Sequence, residues 1–169
     1  ALAASATTNL VHVFAINGPG DVTLGTTPYV AGLTAILNDG GSYNMGMQSV
    51  AFNRDGSKAY VVAGCNTNFN RLSWLQVNGP GNVTLGGANV AAFPFQKTSS
   101  QLFGVDTLAV TPDNAKLVAG HPSFGGGTNA LTIVDLDTFA VSEVVLVATN
   151  VFIPTGVAVL GWNADMDRD

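Results

Sequence analysis

Charge is what this sequence has least of. Only 10% of its 169 residues are Asp, Glu, Lys or Arg, against roughly 25% in an average soluble domain, so its surface must be built from hydroxyls, amides and glycine. Six basic residues face eleven acidic ones, for a net charge of −5. No basic stripe exists to neutralise phosphates, and nucleic-acid binding is disfavoured. Cysteine occurs once, at Cys65, which excludes an internal disulfide framework and a cysteine zinc cluster. No apolar run approaches the roughly 18 residues of a membrane-spanning helix. A G-x-S-x-G nucleophile motif is missing, and no His/Asp/Glu cluster has metal-ligand spacing. Glu143 is the sole glutamate, so general acid–base catalysis by paired carboxylates is poorly supported.

What the chain has in quantity is glycine, threonine, asparagine and valine, with 47% hydrophobic residues. This is the profile of a β-rich protein. It also repeats itself. INGPGDVTLG (16–25) returns as VNGPGNVTLG (77–86), 61 positions later. A second unit runs through SVAFNRDGSKAYVVAG (49–64) and TLAVTPDNAKLVAG (107–120), and begins again at TGVAVLGWNADMDRD (155–169). Each copy opens with an apolar triplet. The first two pass through Asp-Gly or Asp-Asn into a second apolar run, a strong hairpin signal because both turn positions tolerate positive φ. RLSWLQV (71–77) and ALTIVDL (130–136) are predicted third strands, leading through NGPG or Asp-Thr into fourth strands. Pro-Gly fixes φ at one turn position and supplies positive φ at the next. NGPG is therefore read as the turn between third and fourth strands.

Four antiparallel strands at this period are the pattern of a β-propeller blade. VAFNRDGSKAYVVAG, LAVTPDNAKLVAG and LTIVDLDTFAVSEVV resemble the YVTN or lactonase-like propeller repeat, whose first strands run V-A-V-S-P-D-G-x-x-L/A-Y-V-A and whose third ends in V-I-D-T. The resemblance covers nearly the whole chain. It implies an all-β propeller segment of about three blades: strands two to four of one blade in 1–36, full blades in 47–93 and 105–149, and the first strand of another in 154–169. Residues 1–17 align with 61–78, so the small-residue start ALAASA is read as part of a second strand and not as a cleavage region. Propellers close with about four to eight blades. Further blades are accordingly expected, in cis from a longer chain, the preferred reading, or in trans from other copies. An Asn/Thr/Gly-rich β protein of low charge is expected outside the cell, in a periplasm or at a cell surface.

On a repeated frame, function is placed where the loops differ. The turns NRDG, TPDN, NGPG and DLDT are short and alike, whereas CNTNFNR, HPSFGGGTN, LNDGGSYNMGM (37–47) and FPFQKTSSQLFGV (93–105) are long and dissimilar. At the mouth of the expected channel, Gln48, Asp106 and Thr155 each precede an apolar triplet by two. Cys65 and His121 are aligned because each follows Ala-Gly. Asp106 and His121 are the candidates for an acid/base or metal-binding pair, the preferred roles being a hydrogen bond from a neighbouring loop's backbone for Asp106 and loop capping for His121. Tyr43, Asn44, Phe69, Phe95, Phe103 and Phe124 suit protein or carbohydrate contact. Gln48, Asp106, Thr155, His121, Tyr43, Asn44 and Phe103 are thus the candidate binding residues. His12 sits in an alternating strand, and Cys65 has no basic neighbour to activate it. No cofactor is expected. The one exception is calcium at the tail Asp165–Asp169, which begins like a calcium loop but lacks its Gly and Glu and is read first as a solvated turn. Asn82-Val83-Thr84 fits a glycosylation acceptor, yet its twin Asp21-Val22-Thr23 points to strand chemistry.

The expected function is a binding or structural scaffold holding a partner on the long-loop face. A lactonase-like hydrolase, which the resemblance implies, and a carbohydrate-binding ring assembled from short chains are the alternatives, and enzymatic activity is left open.

Overall fold

Strand β5, Lys58–Cys65, carries four consecutive residues with almost no exposure: Ala59, Tyr60, Val61 and Val62. A strand with one wet face alternates, and only one covered on both faces reads as an unbroken apolar run. That run makes β5 part of a sheet sandwiched between two others. In a computed structural model of the protein, residues 1–4, 11–31, 44–65, 71–92, 107–121 and 130–145 are described. They form eleven strands and no helix.

The strands make three antiparallel sheets. The first contains β1 (Leu2–Ala4), β2 (Val11–Gly18) and β3 (Asp21–Tyr29). The central sheet runs β4 (Asn44–Phe52), β5, β6 (Arg71–Gly79) and β7 (Asn82–Ala92). The third runs β8 (Thr107–Val110), β9 (Lys116–His121), β10 (Ala130–Asp135) and β11 (Val141–Val145). In all three, neighbours in sequence are neighbours in the sheet. The all-β class expected from composition is what the chain adopts. The stretch 154–169, expected as a further first strand, lies outside the described residues.

Two cores hold the stack together. Val11, Val13 and Val30 of the first sheet and its C-terminal flank meet Ala59, Val61, Leu75 and Val83 of the central one. On the other side, Tyr60, Val62, Leu72 and Ala91 meet Leu108, Leu117, Ala119 and Val134, together with Leu136 just beyond β10. Leu72 and Leu75 point opposite ways from β6 and both are fully buried; each such burial contributes about 1.5–3 kcal/mol. Strand β4 lies alongside β8 and β1.

The turns explain the repeats. Gly20 and Gly81 have φ of 78° and 71°, the positive value that the third position of a Pro-Gly type II turn demands. In the hairpins β4–β5 and β8–β9 only the later residue, Gly56 (φ 73°) or Asn114 (φ 59°), is positive. These loops are built around a type I turn closed by Gly56 N–H to Asn53 O and Asn114 N–H to Thr111 O. The expected two-residue turn with both positions positive is therefore replaced by a longer one, because the side chains ahead of the turn supply its hydrogen bonds. Asn53 Oδ1 accepts from Lys58 N, and Thr111 Oγ1 from Lys116 N, each at 2.9 Å.

One contact between sheets depends on having no side chain. A Cβ built on Gly25 would stand 2.5 Å from Gly81 O and 3.0 Å from Gly81 Cα. The two backbones touch, and Thr26 Oγ1 donates to Gly81 O at 3.3 Å.

Candidate functional site: the two ends of the sheets

The short-turn end is saturated by its own hydrogen bonds. Asp55 Oδ1 accepts Ser57 N at 2.8 Å, and Asp113 Oδ1 accepts Ala115 N at 3.0 Å and the Thr111 hydroxyl at 2.5 Å. Asp135 Oδ1 accepts Thr138 N and Oγ1, both at 2.9 Å, while its Oδ2 receives Lys116 Nζ at 2.5 Å. The Lys116 ammonium, ahead of the Thr138 donors, holds the Asp135 carboxyl well below the usual carboxylate range, and Asp135 in turn raises the Lys116 ammonium. Bonds from Ser57 lower Asp55, and bonds from Thr111 and then Ala115 lower Asp113. All three are fixed as ionised acceptors, unsuited to act as general acids. The repeated Val-Thr is likewise accounted for by strand chemistry: Asn17 Nδ2 donates to Thr23 Oγ1 at 3.3 Å, and its twin Asn78 Nδ2 to Thr84 Oγ1 at 3.1 Å.

A cleft of about 310 Å³ opens at this end between the first and central sheets, lined by residues such as Leu2, Val13, Phe52, Val77, Pro80 and Val83. Its lining side chains are all apolar, so only backbone groups could orient a polar substrate there.

The long-loop end is marked by strand termini. Asn44 stands opposite Cys65, Ala63 opposite Arg71, and Arg71 opposite Ala92. In the third sheet Thr107 pairs with Gly120, and Ala130 with both His121 and Val145. Gln48 occupies a β-bulge. Ser49 pairs with Val62 but Met47 with Ala63, leaving Gln48 as the extra residue of β4. Bulges re-aim side chains and gather beside functional sites. This feature had no signal in the sequence, because a bulge is a mismatch between two strands.

Of the other candidates, Asn44 and His121 lie at strand ends, while Tyr43, Phe103, Asp106 and Thr155 fall outside the described residues, as do Phe69, Phe95, Phe124 and the acidic tail. Thr107–Gly120 is the last pair of its ladder, and His121 follows Gly120 at the end of β9. The alignment of Cys65 with His121 is corrected. Counted from the turns, Lys58 faces Gln76 and Lys116 faces Asp135, which places His121 level with Ala63 and Cys65 two residues further out. Register is set by ladder bonds from the turn, not by a local Ala-Gly match, and a shift of two keeps the face while changing the height.

Trp74 was not singled out by sequence, and it organises the central sheet. Its indole covers Gly86 and Gly87, where any Cβ would fall within 2.2–2.3 Å of the ring, and Lys58 Nζ lies 4.9 Å from the ring centroid. The paired glycines after VTL were the available signal. Among the described residues no group of three His, Cys, Asp or Glu side chains is placed to hold a metal, and no helix is long and apolar enough to cross a membrane.

No family model matches the chain, and no curated protein matches it. Among solved structures it is similar to the hydrazine synthase of Kuenenia stuttgartiensis, with a TM-score of 0.55 and 14% identity, over 86% of this chain and 33% of that one. The chain thus spans about a third of that structure's length. At this identity the likeness concerns the fold alone.

Proposed function

We propose that the chain is a β-propeller segment of the YVTN-like class that works as a binding scaffold in an extracellular, periplasmic or cell-surface setting, holding a protein or carbohydrate partner at its long-loop end. The observation that carries this is the contrast between the ends: one is closed by repeated, self-satisfied turns, while the other joins dissimilar loops to strand termini and bears the Gln48 bulge. Sheets stacked in chain order, with β4 beside β8, support the propeller reading. Glycan-array and surface-display partner screens test it, repeated with Gln48→Ala and His121→Ala. Loss of a detected ligand in these variants, but not in Asn78→Ala at the turn end, supports the scaffold; equal loss in all three, or no ligand in either screen, counts against it.

The adjacent ladder positions of Thr107 and Gly120 favour a second reading, lactone hydrolysis through Asp106 and His121. It predicts turnover of a lactone panel that falls in Asp106→Ala and His121→Ala; unchanged turnover would clear both residues.

A further inference from the structure

The outer face of the first sheet is apolar and bare. Ile16, Val22 and Leu24 are 57%, 56% and 63% exposed. Alternation along β2 sets Phe14 and Ile16 opposite Val13 and Ala15, the side chains that reach towards Gly25 and Gly81, while Phe14 and Ile16 also border the cleft at the turn end. Register places Ile16 beside Val22 and Phe14 beside Leu24, making one continuous patch.

The repeat reveals what such a face is made to meet. Counting 61 residues on, the equivalents of Phe14, Ile16, Val22 and Leu24 are Leu75, Val77, Val83 and Leu85. Leu75 and Val83 are buried at 0% and 5% exposure, with Val77 and Leu85 packed beside them, beneath Val11, Val13 and Val30. The third sheet repeats the arrangement, its Leu117, Ala119 and Val134 lying beneath Tyr60, Val62 and Leu72. In both contacts within the chain, the front of one sheet is covered by the back of the sheet that precedes it in sequence. The third sheet's own back is formed by Val118 and Ile133, direct partners in the ladder, with Leu131 beside them, all only partly buried. Val118 and Leu131 occupy the places that Tyr60 and Leu72 hold in the central sheet.

We infer that the exposed front of the first sheet docks the back of the third sheet of a second copy, reproducing between chains the front-to-back contact made twice within one. The contact is heterologous, so it closes only if rotation brings the ends together. The described residues of two copies make six sheets, within the range of about four to eight at which stacked blades close. The inference deepens the propeller reading but is read by mass and cross-linking, independently of any ligand.

Sedimentation velocity and native mass spectrometry should find a species of twice 17.3 kDa, and Leu24→Lys should weaken it by about tenfold or more with the far-UV spectrum unchanged. In a Cys65→Ser background, Leu24→Cys and Ile133→Cys proteins should cross-link on mixing while neither does so alone. A chain that stays monomeric at all concentrations would overturn the inference. So would self-cross-linking of Leu24→Cys, the mark of a face-to-face dimer.

Discussion

Replacing Gly25 by alanine tests the close backbone approach between the first and central sheets. Gly25 does not have positive φ, so the backbone accepts alanine, and the restricted unfolded chain alone would stabilise the protein by about 0.4–1 kcal/mol. Against this stands the new methyl, 2.5 Å from Gly81 O, 3.0 Å from Gly81 Cα and 3.0 Å from Val13 Cγ1. Two of those atoms are backbone of another sheet and cannot rotate aside, so the sheets must separate locally, an overpacking cost of about 1–3 kcal/mol. The clash wins. The net loss is about 1–2 kcal/mol, or about 2–8 °C in Tm at this chain length. Gly81→Ala should cost more, because φ of 71° adds left-handed strain of about 1–2 kcal/mol. The double variant should cost less than the sum of the two, since both methyls push the same sheets apart. Urea unfolding followed by circular dichroism reads all three. Wild-type stability in Gly25→Ala would refute the close packing of the first and central sheets at this point.

Acid should weaken the protein through Asp135. Its folded carboxyl is depressed by Lys116, so its contribution is fully present above the unfolded value of about 4 and is lost as pH falls through the folded one. Asp135→Asn should flatten that limb of the stability–pH curve, and an unchanged limb would show the pair to be screened. At Asn114, the left-handed backbone and the bond that Oδ1 accepts from Arg54 N at 2.8 Å separate cleanly. Asn114→Gly keeps the conformation and should lose only about 1 kcal/mol for the bond, whereas Asn114→Ala should lose about 1–2 kcal/mol more; equal losses would mean that the turn relaxes. Leu75→Ala, at a fully buried site, should cost about 2–5 kcal/mol by the same urea assay, and a loss under about 1 kcal/mol would mean that the core there is loose.

Much of the scaffold was legible because its cause is local. Pro19-Gly20 and Pro80-Gly81 turn the chain wherever they stand, since φ preferences belong to the residues themselves. The apolar runs on either side of Asp55-Gly56 and Asp113-Asn114 announce paired strands, and the twin Val-Thr positions point to strand chemistry. Less of the candidate site was readable. Gln48 looks ordinary in β4 until its partner strand is counted. His121 and Cys65 look equivalent until both are measured from Lys116 and Lys58.

The sequence by itself determined the β class, the repeated hairpins and the positions of their turns, because backbone dihedrals and two-residue alternation act over a few neighbours. Only the tertiary structure decided that Gly25 would meet Gly81, that Trp74 would lie over Gly86 and Gly87, and that one face of the first sheet would remain bare while its twin in the central sheet is buried. Those outcomes depend on which sheet stands next to which, and contact between side chains far apart in the chain is a property of packing that no local pattern carries.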